Sequence, residues 1–236
     1  MLKHLFQSIL PVCIGVSSLT AHAQICDRLA DEAFLSSASE SALETAITEE
    51  GANCIEGGFG SRRAIDFAVE YDLPDLALKL LNRGARLDLP YVGGSNLLIE
   101  AVSAEASADM IYILLRAGMD PNASNNYGET ALHWSLAPDI TERLIGAGGD
   151  ANATDDVGNT PLHAYVTEAR DYGFDPLEFT DMILTLHRAG ANLSIRNAEG
   201  QTAFDLIRND DRLKGSDGYR FLERDHCRRS DYRDCD

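Results

Sequence analysis

The chain has 236 residues, with 38 Asp and Glu against 20 Lys and Arg, for a formal net charge of −18. So large an excess of acid argues against a protein that grips a phosphate backbone or lies on an anionic membrane, both of which call for clustered Lys and Arg; it favours a basic partner, or serves solubility alone. The excess is uneven: residues 24–204 hold 29 acids against 11 bases, and residues 205–236 hold 9 against 8, so the charge belongs to the body of the chain.

The first residues carry Lys3, a mostly apolar stretch from Leu5 to Val16 broken by Gln7 and Ser8, and then Ala21-His22-Ala23. This order reads as a secretory signal peptide over residues 1–23, with cleavage leaving Gln24 first and removing Cys13. Leu10-Pro11-Val12-Cys13 loosely suggests an acylation box, but it would leave almost no hydrophobic core ahead of the cysteine. The apolar stretch is shorter than the roughly 20 residues that span a bilayer, and no later run reaches that length, so no membrane insertion is expected. The expected location is exported, with a bacterial periplasm first and secretion to the medium second. Four cysteines then remain, Cys26, Cys54, Cys227 and Cys235. An even count in an exported chain points to two disulfides, with three pairings open.

Leucine-rich helical stretches follow in series, each closed by a glycine: Gly51, Gly84 after Leu80-Leu81, Gly118 after Leu114-Leu115, Gly148 after Leu144-Ile145, and Gly190 after Leu186. The glycines lie 33, 34, 30 and 42 residues apart. A glycine ends a helix at low steric cost, so this is the punctuation of a helical repeat. A second series keeps the same phase: Gly128-Glu129-Thr130-Ala131-Leu132-His133, Gly158-Asn159-Thr160-Pro161-Leu162-His163 and Gly200-Gln201-Thr202-Ala203-Phe204-Asp205. Thr stands where it caps a helix and Pro where one begins. Asp120-Pro121-Asn122-Ala123 and Asp150-Ala151-Asn152-Ala153 supply turn residues after two of the glycines.

These segments resemble the ankyrin-repeat family: its G-x-T-P-L-H signature, its D-x-N-A turn and its period of about 33 residues. The resemblance implies an all-α fold, a solenoid of about six helix-pair repeats joined by β-turn or hairpin loops, over residues 24–225, with units near 26–59, 60–90, 91–124, 125–154, 155–196 and 197–225. The units around Arg63-Ala64-Ile65-Asp66 and Asn96-Leu97-Leu98-Ile99 keep the apolar spacing and lose the Thr-Pro and the His. The end units diverge most, as terminal caps with one polar outer face do. A helix pair as cap favours Cys26 with Cys54, and Cys227 with Cys235 pinning a short tail over residues 226–236. The family assigns His133 and His163 a structural role, linking neighbouring turns.

From His163 to Gly190 is 27 residues, against 15 from His133 to Gly148. The extra dozen, near Glu168–Pro176, reads either as a binding loop between the two helices of that unit or as a longer helix pair with a neutral insertion. No motif for catalysis, a cofactor or a metal is present, so no catalytic, cofactor or metal residue is assigned. His187 carries no ligand pattern. Carried over from the family, partner contacts fall on turn tips and the concave face: Tyr91; Asn125, Asn126, Tyr127 and Glu129; Asp155, Asp156, Val157 and Asn159; Asn197, Ala198, Glu199 and Gln201. Trp134, the only tryptophan, reads as an anchor in the groove or as packed core. The functional expectation is a monomeric, non-enzymatic protein-binding module, with an inhibitor or immunity protein for a basic partner as its most specific form. A secreted effector that binds host proteins and a structural or stress-protective periplasmic protein are the alternatives.

Overall fold

The computed structural model describes residues 26–56, 62–88 and 91–229; the leader expected at residues 1–23 and Cys235 lie outside them. The described part is helical. Its helices are α1 (Glu32–Ser37), α2 (Glu40–Glu50), α3 (Ala64–Glu70), α4 (Pro74–Asn82), α5 (Leu97–Ser103), α6 (Ala108–Arg116), α7 (Pro138–Gly146), α8 (Pro161–Tyr172), α9 (Pro176–Arg188), α10 (Ala203–Ile207) and α11 (Asp217–Arg229). Short 3₁₀ turns occupy Val92–Gly94 and Ala131–Trp134. A two-residue antiparallel pair, β1 (Ile55–Glu56) with β2 (Arg62–Arg63), sets Ile55 opposite Arg63.

Local sequence explains where these helices start and stop. Asp31 accepts hydrogen bonds from the Ala33 and Phe34 amides, Ser39 from Ala42, Asn96 from Leu98 and Ile99, and Ser107 from Met110, each satisfying donors that a helix start leaves free. Proline opens α4, α7, α8 and α9, where its missing amide costs nothing. Gly51, Gly84, Gly118, Gly148 and Gly190 all hold φ between 84° and 97°, the left-handed backbone that a side chain disfavours.

Packing sorts the helices into two layers. In one, α3 meets α5, α5 meets the 3₁₀ turn at Ala131–Trp134, that turn meets α8, and α8 meets α10; in the other, α2, α4, α6, α7, α9 and α11 contact in chain order. The layers close on a core whose period is visible in Leu80, Leu114, Leu144 and Leu186, each four residues before a helix-ending glycine and each almost wholly buried. Burying such a side chain contributes about 1.5–3 kcal/mol. Two apolar clusters result, one from Cys26 to Leu144 and one from Ala151 to Leu222, with Ile145 packed against both.

One open reading closes and one boundary needs correction. Of the two readings of the fifth unit's dozen extra residues, the longer helix pair holds: α8 runs 12 residues and α9 runs 13, leaving Gly173-Phe174-Asp175 as the connection. Apolar packing holds the longer pair, since Tyr165 stacks on Phe174 at 5.4 Å and on Phe179 at 5.9 Å between ring centroids. The contrast is sharpened by the fourth unit, where Pro138 forces Ala137 into extended backbone (φ −114°, ψ 132°) and leaves its first helix as a four-residue 3₁₀ turn. The tail boundary drawn at residue 226 falls inside α11, which continues to Arg229 because Leu222 and Cys227 on one of its faces are buried.

Cys26 and Cys54 are bonded across 28 residues, from ahead of α1 to just past α2, and both are buried. Cys227 is also disulfide-bonded, and its expected partner Cys235 lies outside the described residues. Arg28 and Glu50 brace the same N-terminal unit: the Glu50 carboxylate accepts from the Arg28 amide at 3.1 Å, the Arg28 guanidinium at 3.0 Å and the Leu29 amide at 3.2 Å. Replacing both cysteines by alanine (C26A/C54A) is predicted to lower stability by about 3.5 kcal/mol in urea unfolding, the loop-closure entropy of a 28-residue loop.

Candidate functional site

The turn tips are built by a rule that repeats. At Asn125-Asn126-Tyr127-Gly128-Glu129, the Asn125 side chain accepts from the amides of Tyr127 (2.9 Å) and Glu129 (3.0 Å), and the Asn125 amide donates to the Glu129 carbonyl (2.9 Å). Asp155 does the same with Val157 (3.0 Å) and Asn159 (2.7 Å), and Asn197 with Glu199 (3.1 Å) and Gln201 (3.0 Å). Successive tips are joined by backbone bonds: Asn126 to the Gly93 carbonyl at 2.8 Å, Asp156 to Tyr127 at 2.9 Å, and Ala198 to Val157 at 2.8 Å. This contact is close. A Cβ on Gly128 (φ 78°) would stand 2.9 Å from the Asp156 nitrogen, so the tip accepts only glycine there.

The same geometry sorts the expected contact residues. Asn125, Asp155 and Asn197 hold their own turns; Glu129 receives the Asn125 amide group at 2.8 Å, and Asn159 and Gln201 offer their carbonyls to the turn and to the histidines. Each of these residues is tied into the scaffold through its side chain or its backbone. Asn126, Tyr127, Asp156, Val157, Ala198 and Glu199 project outward, and Tyr127 is 64 % exposed and Val157 55 %. Trp134 is 42 % exposed, so it is not packed in the core. Tyr91 is set apart from this group. Its hydroxyl donates to the Asp66 carboxylate and accepts from the Arg63 guanidinium at 2.9 Å, and burial raises its pKa out of any working range.

His133 and His163 fasten one unit to the next. In each, Nδ1 accepts from the amide of the threonine three residues earlier (Thr130, 3.1 Å; Thr160, 3.2 Å), which places the ring proton on Nε2. That Nε2–H donates to a carbonyl of the following turn, Asn159 for His133 and Gln201 for His163, both at 3.1 Å. Both ring nitrogens are therefore used, and burial lowers both pKa values.

Sequence reading missed the residues that replace histidine elsewhere. In the second unit the Asp66 carboxylate accepts from the Arg63 amide at 2.6 Å and from the Arg63 guanidinium at 2.7 Å, while that guanidinium reaches the Arg86 carbonyl at 2.8 Å. In the last unit Asp205 accepts from the Thr202 amide and hydroxyl, both at 2.9 Å, and lies 3.3 Å from Arg196. The signal was available: Arg63-x-x-Asp66 and Thr202-x-x-Asp205 sit in the phase of Thr130-x-x-His133. Asn122 and Asn152 were read only as turn residues, yet each bridges two units. The Asn122 side chain donates to the Gly148 carbonyl and accepts from the Asp150 amide, both at 2.8 Å; Asn152 does so with Gly190 (3.0 Å) and Asn192 (2.7 Å). Among the described residues there is no cluster of His, Cys, Asp and Glu suited to a metal ion, and no helix long and apolar enough to cross a membrane.

No protein-family model matches the chain. A relative does: cyclin-dependent kinase 4 inhibitor B of Homo sapiens, 31 % identical over 118 residues, which are 50 % of this chain and 81 % of the relative.

The two buried histidines give stability a pH dependence. Burial holds their folded pKa values below the ordinary histidine value of about 6.5, so the unfolded chain takes up protons first as the pH falls. Stability is predicted to be full above pH 6.5 and to decline as the pH drops below it, ahead of the carboxylates that titrate near 4. Urea midpoints at pH 7.5 and at about pH 5.5 check this, and glutamine at both positions (H133Q/H163Q) should flatten the decline.

Proposed function

Since the chain belongs to the ankyrin-repeat family, we propose that it is a non-enzymatic protein-binding module, a solenoid of six helix-pair units whose row of turn tips receives a basic protein partner. The observation that carries this reading is the division of labour at the tips: the first and last residues of each turn hold the scaffold, and the two after the first, Asn126-Tyr127, Asp156-Val157 and Ala198-Glu199, are bonded through their backbone and turn exposed side chains outward. An exposed aromatic and an exposed aliphatic between carboxylates form a surface of the kind that proteins use as interaction hot spots. The carboxylates select for Lys and Arg, and in a chain of net charge −18 they favour encounter with a basic surface.

Support for an inhibitor comes from the relative, whose name makes it an inhibitor of a protein kinase. The location we propose is an oxidising compartment reached by export. The leader sequence supports it, and so does the buried Cys26–Cys54 disulfide, because such bonds persist outside a reducing cytosol. In this reading the protein acts as a monomer and the mature chain begins at Gln24.

Two measurements test the proposal. In pull-downs from a periplasmic extract, the mature protein should retain a basic protein at low salt and release it at high salt, and the Y127S/V157S variant should retain about tenfold less. Recovery of no protein, or equal recovery by the variant, would count against the turn-tip reading. The intact mass of the exported chain should match a start at Gln24 with its cysteines oxidised; a reduced, uncleaved chain would refute export.

A further inference from the structure

Among the described residues, one junction in the stack lacks the bridge that its neighbours have. The Asn122 carboxamide closes onto Gly148 and Asp150, that of Asn152 onto Gly190 and Asn192, and that of Asn53 onto the Gly84 carbonyl (2.9 Å) and the Arg86 amide (2.8 Å). Each time one side chain donates to the carbonyl of a helix-ending glycine and accepts from the amide two residues beyond it. The corresponding groups in the third unit are the Gly118 carbonyl and the Asp120 amide. Counting from the helix-ending glycine, the residue that should serve them is Asp88, the counterpart of Asn122 and Asn152. It is a carboxylate and has no N–H to give. It turns instead to Arg86, with its two oxygens 2.9 and 2.8 Å from the guanidinium, which holds its pKa below the usual carboxylate range.

Asp88 also lines an apolar groove of about 860 Å³ between α4 and α6, which ends at Ala117, next to Gly118. Leu78 (47 % exposed), Leu81, Leu87, Tyr112 (51 % exposed) and Ile113 line it. The neighbouring junctions of this layer carry charge bridges, Lys79–Glu40 (3.1 Å) and Arg83–Glu44 (2.9 Å) between α2 and α4, and Arg143–Asp109 (3.9 Å) between α6 and α7. Among the described residues no ion pair spans α4 and α6. The two units are held together at the other end of these helices, where the Asp72 carboxylate accepts from the Ser107 amide (3.0 Å) and hydroxyl (2.8 Å). The opening is therefore local and leaves the stack intact.

We infer that this groove is a second docking site, for a peptide segment that presents an asparagine carboxamide between apolar side chains. The carboxamide supplies what Asp88 cannot, donating to the Gly118 carbonyl and accepting from the Asp120 amide, while the flanking apolar side chains lie on Leu78, Tyr112 and Ile113. Arg116 lines the groove without a carboxylate partner among the described residues, so the segment is neutral or acidic, the opposite of what the turn tips select. The site does not depend on the turn-tip reading, and the two fail separately.

The test is a ¹⁵N-resolved NMR titration of the full chain with acetyl-Leu-Asn-Leu-amide, and with acetyl-Leu-Asp-Leu-amide as its isosteric control. The asparagine peptide should shift the amides of Gly118 and Asp120 together with residues of the groove, and bind roughly tenfold more tightly than the aspartate peptide. Asp88→Asn, which restores the missing bridge from within, should weaken the asparagine peptide about tenfold and raise Tm. Leu78→Gln, on an exposed position, gives a second reading by weakening both peptides. Absence of binding, equal affinity for the two peptides, unchanged affinity in Asp88→Asn or Leu78→Gln, or shifts centred on Tyr127 and Val157 would each overturn the inference.

Discussion

Every helix pair in this chain has too little apolar surface to close a core alone, so it folds only against its neighbours, and the polar backbone of each turn must be answered from the next unit. That second demand decides more of the sequence than the core does. A turn carbonyl left bare at a packed junction costs about 1–3 kcal/mol, and the chain meets it with whichever side chain the local sequence allows. His133 and His163 do it with an Nε2–H. In the second unit Arg63 reaches the Arg86 carbonyl while Asp66, in the histidine's place, ties Arg63 to the Tyr91 hydroxyl. Among the described residues the Asp205 side chain reaches no carbonyl of a later unit, and its carboxylate serves the cap of α10 and nearby arginines instead.

This explains which parts were legible in sequence. The spaced glycines and the Thr-x-x-His phase announced the helix pairs because glycine and proline act through backbone sterics, which need no knowledge of neighbours. Cys26 with Cys54 followed once a helix pair was assumed. What escaped depends on partners distant in sequence. Tyr91 looks like a surface aromatic until Asp66 and Arg63, 25 and 28 residues earlier, are brought to its hydroxyl. Asp66 looks like an ordinary surface acid until Arg63 is seen to bury with it. The insertion of the fifth unit left a loop and a longer helix pair both open, because it was measured against a preceding unit that Pro138 had itself shortened.

The contact residues divide by the same logic. Position alone placed Asn125, Asp155 and Asn197 at turn tips, but whether a tip side chain faces a partner or its own backbone is a matter of hydrogen-bond supply. A short side chain that opens a turn finds two amides within reach and is consumed by them. The next two residues find none. Variation can therefore accumulate at Asn126-Tyr127, Asp156-Val157 and Ala198-Glu199 with little effect on stability, which is how one scaffold can acquire different partners.

Net charge alone does not choose a partner. At physiological ionic strength the field of a charge decays within about 8 Å, so most of the acids spread over this stack are invisible to a protein docked at the tips. Many are also committed: Asp66 to Arg63, Glu44 to Arg83, Asp88 to Arg86, Asp210 to Arg212. At the proposed docking surface a partner would meet Asp156 and Glu199 beside Tyr127 and Val157. Recognition there would accordingly be set by a few local carboxylates and the apolar area they border, and salt would act on it through those carboxylates more than through the total charge.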